Sequence, residues 1–176
     1  NLRYLRERVG LEPAGAQSAA PSLRAEAVRR ACHTTIGTPM NFSAGAGGAR
    51  YLASGWSFPE GDGFWSDGPS ANLTFDIGNP PTTDLRFEFS LIVFQKPQGA
   101  PREVVIETVR GDPIGRWTLS KPAGDWSIIV PASAWIGSRL GLRLRFDETI
   151  SPKQLGLSDD PRALGIKLQR VCITPV

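Results

Sequence analysis

Histidine is almost missing from this chain. His33 is the only one among 176 residues, and the only cysteines are Cys32 and Cys172. That shortage removes most nucleophile and base relays, because adjacency of Cys32 and His33 does not by itself make a reactive pair. Long apolar runs are lacking as well. No stretch approaches the roughly 20 residues needed to span a bilayer, and the N-terminus has no apolar centre of a secretory signal, so a soluble chain without a membrane span is expected. An excess of one charge is also lacking. The formal net charge is +3, and residues 1–30 account for it, with Arg3, Arg6, Arg8, Arg24, Arg29 and Arg30 set against Glu7, Glu12 and Glu26. The remainder is balanced, so nothing demands the basic face that nucleic-acid binding requires, and no nucleic-acid partner is expected.

What is present bounds the architecture. A hydrophobic content of 40% supports one sizeable core. The 19 glycines and 15 prolines are too many for a helical bundle and suit short strands joined by tight turns. Residues 1–35 read as a helical extension and linker. Leu2, Leu5 and Val9 fall at helical spacing, an Ala, Gly, Ser and Pro-rich stretch follows Glu12, and Ser22 is placed to cap a second helix running to about Cys32. The chain opens at Asn1 in what reads as the middle of a helix, so this segment is expected to be the tail of a preceding domain. Cys32 and Cys172 bracket the region that follows. They read either as a staple in an oxidising compartment or, slightly favoured, as two buried free thiols.

Residues 36–176 read as the β domain. Strands are expected near Ile36 to Phe42, Arg50 to Ala53, Leu73 to Ile77, Leu85 to Val93, Glu103 to Val109, Ile114 to Leu119, Trp126 to Val130, Leu140 to Phe146 and Leu164 to Ile173. Turns are expected at Gly111 to Pro113 and Pro122 to Asp125. In the last strand the apolar parity shifts between Leu168 and Val171, which calls for a bulge or for cover on both faces. Eight or nine short strands without intervening helices predict two packed antiparallel sheets, a β-sandwich of jelly-roll type. An immunoglobulin-type sandwich explains the count and the cysteine positions less well.

Between two of these strands lies Gly55 to Gly68, read as a structured loop rich in glycine and carrying Trp56, Trp65, Glu60, Asp62 and Asp67. Tryptophan faces can stack on the C–H faces of a pyranose while carboxylates accept hydrogen bonds from its hydroxyls. The competing and slightly favoured reading buries at least one tryptophan as a plug and uses Glu60 to fasten the loop. Arg162, beside Asp159 and Asp160, is expected to bridge to Glu60 and lock two loops together, or else to face a sugar or phosphate. The loop acids lack the spacing of a calcium loop, and no metal or cofactor is expected. A two-carboxylate glycosidase can be drawn from Glu60 and Asp67, but any acidic loop would allow that.

The order Gly55-Trp-Ser-x-Pro-Glu60, Trp65-Ser-x-Gly68, Ser151-Pro152 and Asp160-Pro-Arg-x-Leu-Gly-Ile166 resembles a jelly-roll, carbohydrate-binding-like accessory domain appended to bacterial glycosyltransferases and polysaccharide-assembly proteins. The resemblance covers residues 36–174. It implies a non-catalytic module of polysaccharide biosynthesis that holds glycan near a catalytic neighbour, with Trp56, Glu60, Asp62, Trp65, Asp67 and Arg162 as candidate ligand contacts. It also implies the bacterial cytoplasm near the inner membrane, or the periplasm if Cys32 and Cys172 are bridged. A structural docking or self-association module, and a glycoside hydrolase, are the alternatives.

Overall fold

The computed structural model describes residues 33–176. The two helices expected in the N-terminal extension, and Cys32, lie outside the described residues. Ten strands follow in chain order: β1 Met40–Asn41, β2 Trp56–Glu60, β3 Gly63–Asp67, β4 Ser70–Asp76, β5 Leu85–Val93, β6 Arg102–Thr108, β7 Pro113–Leu119, β8 Ala123–Val130, β9 Arg139–Phe146 and β10 Leu164–Pro175. They form two antiparallel sheets, the expected jelly-roll sandwich. The first sheet runs β2-β3-β10-β5-β8, with β1 also on β10, and the second runs β4-β9-β6-β7.

Alternation explains why these segments are strands and which way they face. In β5, Leu85, Phe87, Phe89, Leu91 and Val93 are buried while the residues between them are not, and β9 buries Leu140, Leu142, Leu144 and Phe146 in the same rhythm. The inner faces of the two sheets meet through these side chains. Phe87 of β5 packs edge-on against Phe75 of β4 at 5.2 Å, and Phe89 packs against Trp117 of β7 at 5.1 Å.

β10 organises the first sheet. Its first half pairs with β3, its middle with β1, and nearly its whole length with β5. The parity shift in its sequence is a bulge: Leu168 faces Leu91 and Arg170 faces Ser90, leaving Gln169 as the extra residue. A second irregularity lies between Leu164, opposite Asp67, and Lys167, opposite Trp65 on β3. The amides it leaves without a ladder partner are met by the buried Ser66 hydroxyl, which accepts from the Gly165 N–H at 3.2 Å and the Ile166 N–H at 3.0 Å.

Four expectations need correction. The Gly55 to Gly68 stretch is a β-hairpin, β2 and β3 joined at Gly61-Asp62, and not a loop. Gly63 is required there because a Cβ would overlap the Leu168 carbonyl oxygen. The strand expected at Ile36 to Phe42 shrinks to Met40–Asn41, since turns occupy the residues before it. Arg50 and Tyr51 close a short 3-10 turn, Gly48–Tyr51, and of that expected strand only Leu52 makes an isolated bridge, to Leu73. The turn placed at Pro122 to Asp125 falls earlier, because Ala123 to Asp125 already pair with β5.

Candidate functional site

The hairpin brings most of the candidate residues onto the outward face of the first sheet. Alternation along β3 sends Phe64 and Ser66 into the core and leaves Trp65 and Asp67 outside. Trp65 sits directly opposite Lys167 of β10, and that register assembles a cluster of charges around one indole.

Glu60 is the centre of the cluster. It accepts from the Arg162 guanidinium at 3.1 Å, from the Lys167 ammonium at 2.9 Å and from the Trp65 indole N–H at 3.2 Å. Asp62, in the hairpin turn, accepts from the same ammonium and from the Gln169 amide at 3.1 Å. Arg162 in turn donates to both oxygens of Asp160, at 2.6 to 3.0 Å, and to the Ser57 hydroxyl at 2.9 Å. The bridge between Glu60 and Arg162 expected from the sequence is therefore present, within a wider network.

The electrostatics follow from these contacts. Burial pushes the Glu60 carboxyl up, but hydrogen bonds and charge from Lys167 and Arg162 outweigh it and hold the group below its ordinary value of 4.5. The Lys167 hydrogen bond holds Asp62 below 3.8, and that from Arg162 does the same for Asp160. On Lys167 burial acts downward, and its bonds to Asp62 and Glu60 overcome it and raise the ammonium above 10.5. A glycosidase acid needs its carboxyl held protonated. Glu60 is held toward its ionised form, which does not suit that acid role.

The other candidates take separate places. Trp56 is half-buried against the core and donates its indole N–H to the Asn72 carbonyl at 2.8 Å. Asp67 is exposed and accepts the Ala163 N–H at 2.9 Å through one oxygen. Trp65 is half-buried, with the edge of Phe94 at 6.0 Å and the Lys167 ammonium 5.5 Å from its ring centre. Asp159 is exposed and outside the network.

Two participants escaped the sequence. Lys167 is 8% exposed, an ammonium in the run Leu-Gly-Ile-Lys-Leu whose partners come from residues over a hundred positions away. Phe58 is 63% exposed and covers the Arg162 guanidinium at 4.6 Å from its ring centre. The signal for Lys167 was a lone charge in an apolar strand, where burial demands a partner. Cys172 is a half-buried free thiol. Among the described residues no cluster of three His, Cys, Asp or Glu is placed to hold a metal ion, and no helix is long and apolar enough to cross a membrane.

No protein-family model matches the chain, and no curated sequence matches it. Solved structures are similar to it over most of its length. They include a family 6 carbohydrate-binding module at 10% identity and a TM-score of 0.48, with 82% of this chain and 98% of that one covered. A family 22 xylan-binding domain of Paenibacillus barcinonensis gives 11%, 0.46, 82% and 98% for the same four quantities. A family 115 4-O-methyl-alpha-glucuronidase specific for decorated arabinogalactans has 13% identity and a TM-score of 0.48; the match covers 81% of this chain, which spans 18% of that one.

Proposed function

We propose that this domain is a non-catalytic glycan-binding module whose contact surface is the outward side of the β2–β3 hairpin. The observation that carries this reading is Phe58. An exposed phenyl ring lies on a guanidinium whose other sides are held by Asp160, Glu60 and Ser57. Such a ring is preorganised, loses little freedom when it is covered, and offers the apolar face that a pyranose stacks on. In the same hairpin Asp62 and Asp67 keep lone pairs for hydroxyl donors, since an ionised carboxylate has about four acceptor sites and they accept only two and one side-chain or backbone bonds here. The finer part of the proposal is that the module holds glycan for a catalytic neighbour, such as a bacterial glycosyltransferase, through raised local concentration.

The test is an NMR and calorimetric titration with neutral bacterial envelope oligosaccharides. Wild-type protein is expected to show shifts at Phe58, Trp65 and Arg162. Phe58→Ala is expected to weaken binding roughly tenfold, the order of a lost stacking contact, without moving the melting temperature. A panel that leaves the hairpin signals in place sinks the proposal.

A structural docking module is the second reading, and a different observation favours it. Ile36, Ile136 and Val176 are 39%, 62% and 64% exposed. Ile36 also lines a depression with Ile77, Pro80 and Pro81. Concentration-dependent association by analytical ultracentrifugation, abolished by Ile136→Ser, would support this reading over the first.

A further inference from the structure

We propose that the outer face of the second sheet is a separate binding surface for an acidic polysaccharide, one that carries carboxylates along its chain. β9 presents Arg139, Arg143 and Arg145 outward, and β7 adds Arg116. The registers set them in a pattern: Arg145 faces Val105 on β6, and Val105 faces Arg116 on β7. Arg145 and Arg116 thus flank one strand about 10 Å apart, while Arg143 is one pleat repeat, about 7 Å, from Arg145.

Carboxylates share this face, but they stand lower. Glu107, Asp76 and Glu103 have side chains 13%, 23% and 33% exposed, whereas Arg145, Arg139 and Arg116 are 56%, 63% and 66% exposed. Glu107 lies between Arg143 and Arg145 and meets both only at 3.4 Å. Arg139 and Arg145 make these contacts through the Nε atom, on the inner side of guanidinium groups that are more than half exposed. A ligand approaching the sheet meets guanidinium donors first, and guanidinium matches a carboxylate through paired hydrogen bonds.

Two features select the occupant. The cations are spread along a flat face and do not converge in a pocket, which suits a chain better than a small anion. Phe75, Trp117 and Phe146 of these strands are buried, so no ring stands among the arginines to stack a base, as single-stranded nucleic-acid binders require. The surface is also distinct from the hairpin, which belongs to the other sheet.

Affinity electrophoresis and NMR with polygalacturonate test the proposal, with its methyl-esterified form as the uncharged control. Polygalacturonate is expected to retard the wild-type chain, to shift the amides of Arg116, Arg143 and Arg145, and to bind more weakly as salt is raised. The double variant Arg116→Gln/Arg145→Gln should lose roughly tenfold in affinity and keep its melting temperature. Phe58→Ala should leave this binding unchanged, which separates it from the hairpin. The proposal is overturned if polygalacturonate fails to retard the wild type, if the ester binds equally, if the double variant binds as before, or if single-stranded DNA is held as tightly.

Discussion

Arg162 spends its guanidinium inside the protein, on Asp160, Glu60 and Ser57, with Phe58 across its face. Its side chain is 16% exposed and that of Glu60 is 28%, which puts the pair between the buried and exposed extremes. Arg162→Gln or Glu60→Gln should each destabilise by about 2 kcal/mol. The double variant should cost less than the sum, because the two side chains belong to one network. Thermal melts of all four proteins measure the coupling, and strictly additive losses would refute the clamp. This contact was legible beforehand because both residues sit in short motifs where a charge near tryptophan needs a partner. Lys167 was not, since its neighbours come from the register of β3 on β10, which no local pattern encodes. Phe58 was hidden for another reason: beside Pro59 on an edge strand, alternation does not say which way a ring points.

At the scale of elements, the sequence showed its regular strands well and its glycine-rich ones poorly. β5, β9 and β10 emerge from alternation, and the parity shift in β10 marked the place where a bulge at Gln169 follows a stretch buried on both faces. The hairpin was obscured by glycine, proline and aspartate, although Glu60-Gly-Asp-Gly63 between aromatic residues is itself a tight-turn signature. Its attachment depends on Ser66, whose hydroxyl serves two amides of β10. Ser66→Ala should leave both without an acceptor and cost on the order of 3 kcal/mol. Chemical denaturation should show this as a lower midpoint at unchanged slope. A variant as stable as wild type would mean the amides find another partner.

For the molecule as a whole, the clustered charges set a pH window. The folded values of Glu60, Asp62 and Asp160 lie below their ordinary ones. Their stabilisation is therefore complete above the unfolded values and is lost as pH falls through the folded ones. Lys167 has the opposite sign: its value is raised, so its contribution is full below 10.5 and is lost as pH climbs through the folded value. Stability should be level from neutrality down to about pH 5 and decline below it. Denaturation midpoints across that range check this, and Glu60→Gln should flatten the acid limb. An acid limb unaltered in that variant would place the titrating groups elsewhere.

The position of β10 also has a meaning in time. Ribosomes deliver a chain from its N-terminal side, and β10 follows every strand it joins: β1, β3 and β5. Until it emerges, the first sheet has no middle, and β3 and β5 wait with bare hydrogen-bonding edges, a state prone to mispairing. The second sheet, whose strands β4, β6, β7 and β9 all precede β10, can pair while synthesis continues. The nascent domain thus spends its vulnerable interval with one layer paired and the other awaiting its last strand.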